Sequence, residues 1–93
     1  MEKEDIILLG FKALGTIKGR TYLQKIFFLL EKEIVGDMNL YYTKYNYGPF
    51  SKTLQLSVNK MVGSLIDESD CDFGPYRTRA FTLTNKGLEK ADF

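Results

Sequence analysis

The chain has 93 residues, 44% hydrophobic and 14% aromatic, enough for one domain with a core of its own and too few for two. It has no histidine and a single cysteine, Cys71, which excludes an intrachain disulfide framework and fits a reducing compartment. Net charge is only +1, so bulk charge alone does not mark a binder of polyanions.

The opening Met1-Glu2-Lys3-Glu4-Asp5 is too acidic for a secretory leader. The longest apolar runs, residues 6–9 and 26–30, are far too short to cross a bilayer. A cytoplasmic protein without membrane contact is expected. Ile7, Phe11 and Leu14 recur at helical spacing and predict a first helix over residues 3–14, ended by Gly15. A second helix is expected from Thr21. There Thr21 and Gln24 have capping-box spacing, in which the hydroxyl accepts from an orphan amide and the amide side chain reaches back. Leu23, Ile26, Phe27, Leu30 and Ile34 then form a broad apolar stripe until Gly36. Phe28 and Leu29 lie off that stripe, which suits a central helix buried on two sides.

Residues 37–47 are rich in tyrosine and asparagine: Tyr41, Tyr42, Tyr45 and Tyr47, with Asn39 and Asn46. Residues 40–45 suit a short strand, and Tyr45 and Tyr47 are expected to pack on the core. Pro49 suits the first turn of a third helix over residues 49–62, because its missing N–H has no partner to lose there. Leu54, Val58, Met61 and Leu65 should face inward, leaving Lys52, Thr53, Leu56, Asn59 and Lys60 on the opposite side. After Gly63 a hairpin is expected: a strand over 64–67, an acidic turn region over 68–75 containing Gly74-Pro75, and a strand over 76–83. Thr84 can cap a last helix over 85–91 with Leu88 facing in.

This order predicts a single α+β domain over residues 1–93, mainly helical: a winged helix-turn-helix with a two-stranded β-hairpin wing. Motifs point the same way. The run Arg20-Thr21-Tyr22-Leu23-Gln24-Lys25-Ile26-Phe27-Phe28-Leu29-Leu30 precedes Tyr45-Asn46-Tyr47-Gly48-Pro49-Phe50-Ser51. Leu54, Leu65-Ile66 and Phe81-Thr82-Leu83-Thr84-Asn85-Lys86-Gly87 follow. Over about Arg20 to Gly87 the chain resembles the YwgA-like family and the related Panacea antitoxin domain. It departs from their pattern at Gly63-Ser64-Leu65-Ile66, where one residue intervenes between the glycine and the Leu-Ile pair. The resemblance implies a winged-helix fold and a regulatory or antitoxin-like binding module.

Catalysis fits poorly. Without histidine the usual neutral-pH proton shuttle is missing. Cys71 lies between Asp70 and Asp72, the reverse of the electropositive setting a nucleophilic thiolate needs. Gly10, Gly15 and Gly19 are scattered and form no phosphate cradle. The acids Asp67, Glu68, Asp70 and Asp72 lack calcium-loop spacing: counted from Asp70, the sixth residue is Pro75 and the twelfth is Phe81. No enzyme, cofactor or metal site is expected.

Charge distribution is more informative. Residues 6–30 hold no acid but Lys12, Lys18, Arg20 and Lys25; residues 38–66 hold none but Lys44, Lys52 and Lys60. Two binding readings follow. In the first, a dimeric regulator presents Lys52, Gln55, Asn59 and Lys60 of the third helix to base edges of duplex DNA, while Arg77, Arg79, Lys18 and Arg20 meet phosphates. In the second, Leu56, Tyr41 and Tyr42 contact a protein partner. The acidic segment and the long tyrosine-rich connection favour the second; the helix order and the acid-free stretches favour the first.

Overall fold

A computed structural model describes residues 2–36, 39–45 and 48–91, with Val35, Tyr45 and Phe73 described through their backbone alone. About half of the chain is helical, and the order of elements is that of a small α+β domain. Its radius of gyration, 12.8 Å, is close to the ~12 Å expected of a folded chain this long.

Helix α1 (Lys3–Leu14) buries Ile7, Leu8 and Phe11 on one face. A two-residue strand, β1 (Ile17–Lys18), leads into α2 (Arg20–Leu30), which buries Leu23, Gln24 and Phe27. The two helices meet at Phe11 and Phe27, whose rings lie 5.8 Å apart, and at Gly10, where a Cβ would stand 2.7 Å from the Phe27 ring. Fully burying Phe27 contributes roughly 1.5–3 kcal/mol.

Helix α2 begins at Gly19, with no side-chain cap. The expected Thr21–Gln24 capping box is therefore not formed: Thr21 is already inside the helix, and Gln24 points into the core. At its far end α2 widens into a π turn, Glu31–Val35, closed by Gly36 N–H donating to Glu31 at 3.0 Å. The wider turn takes Ile34 out of phase with Leu23 and Phe27. Ile34 is 76% exposed, so the apolar stripe ends at Leu30.

The connection to the next helix carries a small hairpin, β2 (Thr43–Tyr45) against β3 (Gly48–Phe50). Pro49 thus pairs with Lys44 in a strand rather than opening a helix. Because it has no N–H to donate, this placement suits a short two-stranded ladder with free edges. Leu40 is fully buried. The expected packing of Tyr47 and of the Tyr45 side chain falls outside the described residues.

Helix α3 (Lys52–Met61) starts at Ser51, whose hydroxyl accepts from Leu54 N–H at 2.9 Å. Leu54, Val58 and Met61 face inward as the spacing predicts, joined by Ser57; Leu65 lies in the following turn, half-buried.

Strands β4 (Ile66–Phe73) and β5 (Tyr76–Leu83) then form a hairpin longer than expected, eight residues on each side of a tight Gly74-Pro75 turn. Strand β1 adds to the other edge of β5, giving an antiparallel sheet in the order β1-β5-β4. The sheet has three strands rather than two, and the segment expected to be an acidic turn is regular strand. Thr84 caps α4 (Asn85–Lys90) by accepting from Gly87 N–H at 3.0 Å, and its own hydroxyl donates to Ser64 at 2.7 Å. Gly87 and Ala91 face the core where Leu88 was expected; Leu88 is 44% exposed. A Cβ at Gly87 would overlap the Leu65 carbonyl, so only glycine allows α4 to lie this close to the turn after α3. Among the described residues, no helix is long and apolar enough to cross a membrane.

Candidate binding surface

The residues expected to bind a macromolecule depend on how α3 is seated. Ser51 sets that seat with every polar group it has. Its N–H donates to Gln24 Oε1 at 2.8 Å, and its carbonyl accepts from Gln24 Nε2 at 3.0 Å and from Gln55 N–H at 3.1 Å. Its hydroxyl caps α3 and donates to the Leu40 carbonyl. Both Gln24 and Ser51 are buried, so α2, α3 and the connection between them are joined by a fully satisfied polar knot. The runs Leu23-Gln24-Lys25 and Gly48-Pro49-Phe50-Ser51 thus meet here.

So seated, α3 turns Lys52, Leu56, Asn59 and Lys60 to solvent, with Leu56 57% exposed. Gln55 is half-buried beside Arg20, Thr21, Pro49 and Phe50 in a groove of about 160 Å³ between α2, β3 and α3. Neither Lys52 nor Lys60 enters an ion pair with a described residue, and α3 carries no acid.

The arginines have different surroundings. The β4–β5 register places Ile66, Glu68, Asp70 and Asp72 opposite Leu83, Phe81, Arg79 and Arg77. Alternation puts these eight side chains on one face of the sheet, apolar at its base and charged toward its tip. Arg20 reaches in from the start of α2 and lies 5.1 Å above the Phe81 ring. Its guanidinium donates to Glu68 Oε2 at 2.9 Å and to Asn59 Oδ1 of α3 at 3.3 Å. Arg79 donates to the same Glu68 oxygen at 3.0 Å and, with its other arm, to Asp70. Arg77 stands 3.9 Å from Asp70 and 3.8 Å from Asp72. A line of alternating charge therefore runs from the outer face of α3 along the hairpin.

Glu68 is the hub of that line, its side chain only 13% exposed. Burial alone would push its carboxyl up. The hydrogen bonds and positive charges of Arg79 and Arg20 outweigh burial and hold it below the usual carboxylate range. Arg79 is pushed up in turn, first by its hydrogen bond to Glu68 and then by that to Asp70.

The structure thus links Arg20, Asn59, Arg79 and Arg77 in one line and leaves Lys52 and Lys60 exposed on α3. Lys18 is set apart: it pairs with Ala80, so alternation places it on the other face of the sheet from Phe81 and Arg79. Of the residues expected to meet a protein, Leu56 and Tyr41 are open to solvent, Tyr41 at 73%. Tyr42 is not: it is half-buried, with its ring edge-on to Phe28 at 5.1 Å and its hydroxyl lacking a hydrogen-bond partner among the described residues. Burial first, and the charge of Glu31 second, push its phenol well above the ordinary value. No group of three or more histidine, cysteine, aspartate or glutamate side chains among the described residues is arranged to hold a metal ion.

Composition hid the partners of the arginines. A signal was present: folding the sequence about Gly74-Pro75 sets each acid of Glu68-x-Asp70-x-Asp72 against Phe81, Arg79 or Arg77. No protein-family model, curated protein or solved structure matches the chain.

Proposed function

We propose that this protein is a winged-helix module that binds duplex DNA through the outer face of α3, as a cytoplasmic regulator pairing on a short palindrome. The observation that carries the reading is the seat of α3. Lys52, Asn59 and Lys60 stand solvent-exposed on an acid-free helix that the Gln24–Ser51 knot holds rigidly. A helix so presented can enter a major groove, where asparagine and glutamine pair with adenine and lysine reaches guanine or phosphate. The order α1-β1-α2-α3-β4-β5, with the short β2–β3 hairpin inserted between α2 and α3 and the long hairpin linked to α3 through Arg20, supports the winged-helix reading, as does the YwgA-like and Panacea resemblance. Fluorescence anisotropy with a mixed-sequence duplex at low salt tests it. K52A/K60A should flatten the log–log salt dependence by roughly 0.9 for each phosphate left without its lysine. Absence of any binding at micromolar wild-type protein overturns the proposal.

A protein partner is the second reading, favoured by Leu56, which stands 57% exposed in the middle of the same face. Leu56→Ala, which adds no charge, should leave DNA affinity within about threefold if lysines dominate, because only phosphate contacts carry the salt-dependent term. Loss of a protein complex with an unchanged fold would favour the partner instead.

A further inference from the structure

We propose that Glu68, Asp70 and Asp72 act as internal stand-ins for DNA phosphates, occupying Arg20, Arg79 and Arg77 and so withholding the hairpin from sequence-independent binding. This rests on the DNA-binding reading above. Three observations carry it. The line of charge is continuous with the reading face, since Arg20 bonds Asn59 of α3 and Glu68 of β4 with the same guanidinium. The acids and arginines interleave along a shared face, Asp70 opposite Arg79 and Asp72 opposite Arg77, so the carboxylates present anions at a strand's repeat beside each arginine. Finally, the outer pairs are poorly explained by stability. The side chains of Arg77 and Asp72 are 77% and 84% exposed and their charged atoms are 3.8 Å apart, a setting in which ion pairs contribute little to folding.

Guanidinium binds carboxylate and phosphate by the same planar donor geometry, so one anion can replace the other without moving the arginine. While the carboxylates hold the arginines, a phosphate approaching the hairpin gains one favourable partner and one repulsive neighbour. Non-specific affinity, which rises with every phosphate neutralised, is then left mainly to the lysines, and discrimination falls to α3.

The test is anisotropy with one mixed-sequence duplex across a salt series. E68Q/D70N/D72N should bind on the order of tenfold tighter than wild type, with a slope steeper by about 0.9 per arginine released. E4Q/E33Q/E89Q makes the same change of charge on residues outside the arginine line, and should change affinity by less than about threefold, since only contacted phosphates release counterions. R77Q/R79Q should barely alter wild type yet remove most of the gain from E68Q/D70N/D72N, leaving only the share of Arg20. The inference is overturned if the two triple variants behave alike, or if R77Q/R79Q weakens wild type as much as it weakens the carboxamide triple. If K52A/K60A still flattens the salt dependence in that case, the α3 reading survives alone. If no variant binds duplex, both fall. Should the triple variant melt at the assay temperature, D70N/D72N leaves the Arg20–Glu68–Arg79 cluster intact and decides by the same comparison.

Discussion

Two buried side chains show how single residues set this structure. Gln24 gives both ends of its amide to the backbone of Ser51. Gln24→Met keeps the volume and removes the partner, leaving a buried N–H unmet, and should cost about 1–3 kcal/mol by urea denaturation. A loss below a few tenths would mean water replaces the amide. Tyr42 presents the opposite case. Its hydroxyl is buried without a partner among the described residues, so Tyr42→Phe should leave stability unchanged or raise it by up to about 1 kcal/mol. A clear destabilisation would reveal a bond to that oxygen. Neither role was visible in the sequence. Gln24 sits three residues after a threonine, the spacing of a capping box, and only the tertiary position of Ser51 decides which bond the amide makes. Tyr42 follows Tyr41 in an irregular connection, where no periodicity separates the half-buried ring from the exposed one.

Helices were the most legible elements and their ends the least. Ile7, Phe11, Leu54, Val58 and Met61 all point where helical spacing puts them, because a 3.6-residue repeat leaves little choice of face. Ile34 breaks the pattern through the π turn, which no local residue announces. Ile34→Lys should therefore shift stability by no more than about 0.5 kcal/mol, as for ordinary surface positions. A loss of several kcal/mol on thermal melting would place Ile34 back in the core. In α4 the inward position belongs to Gly87 rather than Leu88. Gly87→Ala should destabilise by about 1–3 kcal/mol, the usual cost of overpacking, since the added methyl meets the Leu65 backbone rather than a side chain that can rotate away. The hairpin and the bounds of β5 were legible, but the extent of β4 was not, because aspartate and glutamate are poor strand formers.

At the scale of the molecule, Glu68 ties the sheet to α2 through Arg20, which in turn bonds Asn59 of α3, and folding should depend on that carboxylate being ionised. Its folded value lies below the unfolded one, 4.5, so its contribution is fully present above that value and is lost as pH falls through the lower one. Melts between about pH 3 and 7 should show wild type losing stability on the acid side, with Glu68→Gln less stable near neutrality and flatter below. Parallel curves for the two proteins would remove Glu68 from the account. Tyr42 works in the alkaline direction. Its raised value makes the neutral phenol's contribution complete below the unfolded 10.0 and progressively lost above it.

The knot at Ser51 has a mechanical consequence. To slide or tilt α3 against α2, several buried hydrogen bonds must break together, so the pair rotates as one block and carries Leu40 with it. The outer face of α3 is therefore a stiff surface, and under the DNA-binding proposal the bending or widening needed for a close fit would fall to the duplex.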